Sequence, residues 1–249
     1  MTNINILYWD TGCTTRKQNT MVSWDLTKKM VTNLKNRGLD IQCFLFEFGE
    51  SFQFEDSIKI ETKLDFYERS KKINMVLNHP VNQDSKFLSI MDSDLFFIEE
   101  QYDEVYNDIK SLENERQSSF YTYNLLDLDD KQRSYVLNTD SLTVDFEKLK
   151  EVMNLLSWRH SWGSGTLGGY FIAPTEALKK MGGFDENYIT WGAEDDDALT
   201  RLKNHCSWVP QKNKGPYHLF HPKNVNDEKY YVPVYSERYF ELNKVERPK

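Results

Sequence analysis

The sequence predicts an α/β domain with a mostly parallel central sheet flanked by helices, and three observations carry that expectation. Short apolar runs of strand character alternate with stretches of helical period. Neither internal repeats nor low-complexity linkers interrupt the alternation. Acidic residues close two of the strand-like runs, and the carboxyl ends of strands are where open sheets of this class bind ligands.

In chain order, the first strand is Ile4 to Trp9, ended by the turn signal Asp10-Thr11-Gly12. An amphipathic helix follows, with Trp24, Thr27, Val31 and Leu34 on one face and a stop at Arg37-Gly38. Asp40 to Phe48 reads as a second strand. A polar loop then leads to a helix that begins near Asp65, carries Phe66, Ile73, Val76 and Leu77, and ends at Asn78-His79-Pro80. Phe87 to Met91 is the apolar run of a buried central strand. Tyr102, Val105, Tyr106, Ile109 and Leu112 recur at helical spacing, and Ser119 to Leu126 is a further strand. The polar stretch Asp127 to Asp140 reads as a hairpin, and Phe146 to Trp158 as a helix. A loop at His160 to Gly165 gives way to a strand from Gly168 to Ala173 and a short helix from Thr175 to Met181. An acidic helix and short strands around Trp208 and Tyr217 to Phe220 lead into a charged tail.

The chain of 249 residues is long enough for a real core. Its net charge of -8 and pI of about 5.3 argue against a nucleic-acid surface. Cys13, Cys43 and Cys206 are odd in number and far apart, so neither a zinc ribbon nor a disulfide framework is indicated, and a reducing compartment is expected. The N-terminus runs straight into a strand without the pattern of a signal peptide, and no apolar run approaches the ~20 residues of a membrane helix. Aromatic residues make up 14% of the chain; tyrosine and tryptophan stack well on sugars, but core filling is the expected role for most.

The chemistry concentrates at Trp191-Gly192-Ala193-Glu194-Asp195-Asp196-Asp197, where a glycine loop feeds the first turn of a helix. Acids there favour the helix dipole, but four in succession exceed what capping needs. On a 3.6-residue period Asp195 shares a face with Leu199, Leu202 and Cys206, the expected buried stripe. Asp197 stands four residues before Arg201, a spacing that suits an exposed ion pair, so Asp196 and Asp197 are expected to be solvated or paired. An inward carboxylate at a loop mouth suits a general base.

Asp92-Ser93-Asp94 is the second anchor. In an extended segment both carboxylates project together while Ser93 turns aside. Two hard oxygen donors at a strand end suit Mg²⁺ or Mn²⁺ bridging a diphosphate. The same triplet also serves as an Asx turn, but its place between an apolar strand and Leu95-Phe96-Phe97 favours ligation. His218 and His221 are three residues apart, able to share a metal on a helix or turn but facing opposite sides on a regular strand. With the acid triplet they complete an oxygen and nitrogen set typical of Mn²⁺, His221 before Pro222 being the slightly favoured one, against the rival reading of two unrelated surface or core histidines. Arg16, Lys17 and Arg69 are candidates for phosphates or a base, against the ordinary reading of solvated helix faces.

These pieces together resemble a family. Phe87-Leu88-Ser89-Ile90-Met91-Asp92-Ser93-Asp94-Leu95 resembles the DxD strand of the GT-A glycosyltransferases. Gly168-Gly169-Tyr170-Phe171, Met181-Gly182-Gly183-Phe184-Asp185-Glu186-Asn187-Tyr188 and the block from Trp191 to Asp197 with Arg201-Leu202 resemble the C-terminal motif of the β-1,4-galactosyltransferases. Polypeptide N-acetylgalactosaminyltransferases echo the same block with different acids. Tyr67-Glu68-Arg69-Ser70-Lys71-Lys72-Ile73-Asn74 is similar to the helix preceding the DxD strand in the galactosyltransferases.

The resemblance implies a single GT-A domain over residues 1–249. Residues 1–100 form its nucleotide-binding half, ending at the triplet, and residues 101–249 its acceptor and catalytic half. It makes Asp94 the direct metal ligand, with Asp92 nearby toward the ribose and with His218 and His221 as the later ligands. Tyr67 and Arg69 contact the uridine diphosphate. Asp195 is the catalytic base with Glu194 beside it, while Gly168, Gly169, Trp191, Gly192 and Asp196 serve donor and acceptor binding.

The family's basic motif after the first strand is replaced by Trp9-Asp10-Thr11-Gly12, leaving Asp10, with Arg16, for the nucleotide. Thr166 stands where the galactosyltransferases carry a bulky residue, and its small size admits an N-acetyl group. The family's Golgi anchor and disulfides have no counterpart, which suggests a cytoplasmic enzyme of microbial type.

The activity so implied is metal-dependent transfer of a hexose, galactose or N-acetylgalactosamine, from a UDP-sugar to a hydroxyl of a glycan or glycolipid, with inversion. A retaining outcome stays open on these motifs. Rival readings are a metal-dependent phosphohydrolase or nucleotidyltransferase using the same acids, and a carbohydrate-binding descendant without catalysis.

Overall fold

The computed structural model describes residues 1–9, 14–63, 68–138, 167–188, 194–211 and 215–219, together with the backbone of residues 157–159. The expected elements at 146–156 and 160–166 lie outside the described residues.

The chain opens with β1 (Thr2–Trp9), α1 (Thr14–Asn36), β2 (Ile41–Gly49), β3 (Ile58–Glu61) and α2 (Arg69–Leu77). There follow β4 (Phe87–Asp92), β5 (Leu95–Phe96), α3 (Tyr102–Asn114), β6 (Ser119–Tyr123), β7 (Leu125–Asp127) and α4 (Asp130–Asn138). The remainder gives β8 (Ser157–Arg159), β9 (Tyr170–Pro174), α5 (Thr175–Lys180), α6 (Glu194–Leu202), β10 (Ser207–Gln211) and β11 (Tyr217–His218). Among the described residues the strands form a seven-stranded sheet in the order β10-β6-β9-β4-β1-β2-β3 and a four-stranded one in the order β5-β11-β7-β8. The larger sheet is parallel except for β9, which runs antiparallel between β4 and β6.

Period-two alternation explains how the sheet buries both faces. From β1, Ile4, Ile6 and Tyr8 enter one core with Trp24, Met30, Val31 and Leu34 of α1 and Val105, Ile109 and Leu112 of α3. Leu7 of β1 and Leu88 and Ile90 of β4 face the other core, covered by Ile73, Val76 and Leu77 of α2 and Ala198, Leu199 and Leu202 of α6. A third cluster packs Phe96, Leu126 and Tyr217 of the small sheet against Leu26 of α1 and Val136 of α4.

Four expectations are corrected. The polar loop after β2 contains a strand, β3, whose alternating half-buried and exposed residues suit a sheet edge and leave little apolar signal. Ser119 to Leu126 is two strands, broken at Asn124 so that the chain leaves the large sheet for the small one. The break is held by Gly215, where a Cβ would lie 1.5 Å from the Asn124 carbonyl oxygen, so only a bare backbone fits. The expected hairpin after Asp127 is helix α4. Asp129 Oδ1 accepts from the Gln132 amide at 2.9 Å while Gln132 Oε1 accepts from the Asp129 amide at 2.5 Å, a reciprocal capping box. Finally, Trp158 is the end of no helix but lies in β8, where it pairs antiparallel with Leu126.

Candidate active site

The acid triplet sits where the two sheets meet. β4 ends at Asp92, and Ser93 and Asp94 form a turn that carries the chain into β5. The triplet is therefore not one extended segment, and its two carboxylates have different partners. This corrects the expectation that they project side by side.

Asp92 belongs to a cluster with Arg69 and Asp195. Arg69 opens α2, and its guanidinium reaches Asp195 Oδ1 with Nη1 at 2.5 Å and Asp92 Oδ1 with Nη2 at 3.1 Å. Burial works against the charge on Arg69, but Asp195, Asp92 and Glu194 outweigh it and hold the guanidinium firmly protonated. Burial raises the pKa of Asp92, with Arg69 opposing and Asp94 and Asp195 reinforcing the rise. The Asp92 amide donates to the Gly169 carbonyl at 2.9 Å. Gly169 has φ +81, and a Cβ there would meet Leu125 Cδ1 at 2.8 Å, so glycine lets the backbone lie against both strands at this point. Gly168 precedes it, half-buried, with its carbonyl accepting from the Tyr170 amide at 3.1 Å.

Asp94 faces the small sheet. β11 lies between β5 and β7, with His218 opposite Leu95 on one side and Asp127 on the other. The His218 Nε2 is 3.5 Å from Asp94 Oδ2, and its Nδ1 is 2.7 Å from Asp127 Oδ1. Without a cation, burial disfavours the imidazolium, but Asp94 and the hydrogen bonds with Asp127 and Asp94 outweigh it, so the His218 pKa is pushed up to about 10; a bound cation would take the place of the Nε2 proton. A carboxylate oxygen and an imidazole nitrogen converging at a strand end are a fitting donor pair for Mn²⁺ or Mg²⁺. Among the described residues no group of three or more such side chains forms a metal cage. Two protein donors also match a cation whose other positions go to phosphate and water.

The acidic helix differs from its expected facing. Asp195 does reach the cluster, half-buried, through Arg69. Asp197, expected to be exposed, is 1% exposed, as is fitting for its partner: Arg201 binds it at 2.8 Å and also donates to the carbonyls of Met181 and Gly183 at 2.9 and 2.7 Å. The pair was legible at i,i+4, but its burial under the Met181–Gly183 turn was not. Glu194 is buried at 4% exposure. Asp196 is half-buried, and burial, with Asp195 beside it, raises its pKa.

Arg16 lies half-buried in the first turn of α1, its carbonyl accepting from the Thr20 hydroxyl at 2.9 Å. Lys17 is committed to Gln53 at 2.7 Å. Asp10, Tyr67, Trp191, Gly192, Thr166 and His221 lie outside the described residues. Sequence reasoning missed Asp127, although Leu125-Leu126-Asp127 repeats the pattern of apolar strand and terminal acid seen at Ile90-Met91-Asp92. It also missed Lys72, buried on α2 one turn after Arg69, with its ammonium 4.8 Å from the ring centroid of Trp9.

The fold and one region of the chain have counterparts among known proteins. The family described as the N-terminal domain of galactosyltransferase matches residues 148–222. No curated protein sequence matches the chain. Among solved structures, S. aureus TarS 1-349 aligns with a TM-score of 0.51 at 12% identity, covering 87% of this chain and 60% of that one. TarS 1-349 in complex with UDP-GlcNAc aligns with a TM-score of 0.51 at 11% identity, over 97% of this chain and 64% of its own. The catalytic domain of Drosophila beta1,4galactosyltransferase 7 in complex with xylobiose gives a TM-score of 0.49 at 15% identity, over 92% and 77%. The chain thus spans less than two thirds of the TarS chains it matches. No helix among the described residues is long and apolar enough to cross a membrane. The chain has the fold of the GT-A glycosyltransferases, and its residues 148–222 match the galactosyltransferase family model.

Proposed function

We propose that the protein transfers a hexose from a UDP-sugar to a hydroxyl of a glycan or glycolipid, with a divalent cation, Mn²⁺ or Mg²⁺, and with inversion at the anomeric carbon. The observation that carries the reading is the meeting, around the end of β4, of Arg69 with Asp92 and Asp195 and of Asp94 with His218. Support for a uridine donor comes from the fold shared with TarS, whose structure was solved with UDP-GlcNAc.

Asp94 and His218 would hold the cation, which supplies Lewis-acid neutralisation of the charge that grows on the departing diphosphate. Arg69 presents two donors in a rigid fork, the geometry that suits a phosphate as well as a carboxylate. When it turns to the donor it releases Asp195, which then accepts the proton of the attacking hydroxyl. The acceptor oxygen bonds to the anomeric carbon from the face opposite UDP, the bond to UDP breaks, and its electron pair leaves with the diphosphate. Residues 1–100 act as the nucleotide half and residues 101–249 as the acceptor half of one catalytic domain. Galactose and N-acetylgalactosamine are the favoured sugars, and action in the cytoplasm, with contact to a membrane surface for a lipid-linked acceptor, completes the reading.

The test is UDP release and thermal shift across a panel of UDP- and GDP-sugars, with and without Mn²⁺, on wild type and Asp94→Asn. Mn²⁺-dependent stabilisation by UDP, release from one UDP-sugar and loss of both in the variant are expected. No response to any nucleotide sugar would overturn the donor assignment.

A further inference from the structure

The histidine beside Asp94 is held from behind. β11 runs parallel to β7 with His218 opposite Asp127, and Asp127 Oδ1 lies 2.7 Å from His218 Nδ1. A carboxylate oxygen only accepts, so Nδ1 carries the proton and Nε2 is the nitrogen turned toward Asp94, 3.5 Å away. The backbones are fixed on both sides. The Leu219 amide donates to the Asp94 carbonyl at 2.9 Å, and the Leu128 amide donates to the His218 carbonyl at 2.9 Å. Three side chains thus form a row across neighbouring strands, with the imidazole between the two carboxylates.

We propose that Asp127 is a positioning residue for the cation site. Its carboxylate locks the His218 ring with Nε2 toward Asp94 and makes that nitrogen a better donor, the arrangement in which an outer carboxylate fixes a ligating imidazole. The inference rests on the reading of Asp94 and His218 as ligands. Strand pairing does not need this side chain, because the β7–β11 ladder is made by main-chain groups. A merely structural Asp127 would therefore leave cation affinity untouched.

The experiment is a Mn²⁺ titration, followed by the electron paramagnetic resonance signal of free Mn²⁺, on wild type, Asp127→Ala, Asp127→Asn and His218→Ala. Thermal melts of the EDTA-treated proteins run alongside. Asp127→Ala is expected to weaken Mn²⁺ binding by about 10- to 100-fold. Asp127→Asn keeps an acceptor but loses the charge, and it should weaken binding less. Wild-type affinity in Asp127→Ala, with binding lost in His218→Ala, overturns the positioning role and leaves the metal site standing. Wild-type affinity in His218→Ala overturns the metal reading itself. Should Asp127→Ala not fold, Asp127→Asn decides: weakened binding supports the role, and unchanged binding overturns it.

Discussion

Arg69 donates to Asp195 across 126 positions of sequence while its other terminal nitrogen holds Asp92, so one guanidinium joins α2, the end of β4 and the first turn of α6. Asp195 Oδ1 in that grip is not free to meet an acceptor hydroxyl until the arginine finds another anion, and a diphosphate is such an anion. Donor before acceptor is the order this favours. Arg69→Lys keeps the charge but loses the fork. It should lower kcat/KM for the donor about 30-fold, the scale of about 2 kcal/mol for disrupting a buried charge pair. Wild-type donor kinetics in that variant would remove Arg69 from the nucleotide site.

Asp195→Asn keeps the shape and a hydrogen-bond acceptor for Arg69 but cannot take a proton. Donor affinity, read by calorimetry with UDP, should stay close to wild type. Transfer should fall by about 10²- to 10⁴-fold, the usual worth of a positioned general base. Retained turnover would assign the base elsewhere on α6, with Glu194 the next to test.

Removal of the cation should be reversible and specific. EDTA is expected to abolish transfer and Mn²⁺ to restore it in wild type, whereas Asp94→Asn should recover little at any Mn²⁺ concentration. An enzyme that turns over at full rate in EDTA would end the metal-assisted mechanism.

Asp196 gives a pH signature with a definite sign. Its carboxyl is raised above the ordinary 3.8 because burial and then Asp195 disfavour its charge. A raised carboxyl destabilises the fold at pH values above its folded pKa, and this cost vanishes below about 3.8. Asp196→Asn should therefore raise Tm at neutral pH, with the advantage shrinking as pH falls toward 4. An advantage independent of pH would trace the gain to packing rather than charge.

Arg201 reads as structural. It neutralises buried Asp197 and satisfies the carbonyls of Met181 and Gly183, so Arg201→Ala leaves a buried charge and two carbonyls without that partner. The expected loss is about 3 to 5 kcal/mol in urea unfolding. A loss below 1 kcal/mol would mean that the pair is solvated in solution.

Much of the fold was legible because its elements have strong periods. The apolar run Phe87–Met91 and the helical spacing from Tyr102 to Leu112 became β4 and α3 as expected. β3 escaped because an edge strand buries only part of its side chains, and α4 escaped because its start is marked by one capping box rather than an apolar stripe. Within the site, the acid triplet, Arg69, Asp195 and His218 were all singled out from residue type and order.

What the sequence determined by itself is which residues are chemically suited to the site, since a carboxylate, a guanidinium or an imidazole carries its donors wherever it stands. Only the tertiary structure decided their partners. Whether Asp92 faces Arg69 while Asp94 faces His218 depends on a turn between two sheets. Whether Asp197 is buried depends on a carbonyl turn docked from 14 to 16 positions away in the chain. Asp127 came into view only when β11 paired with β7, because strand pairing joins residues 91 positions apart and leaves no local mark at either end.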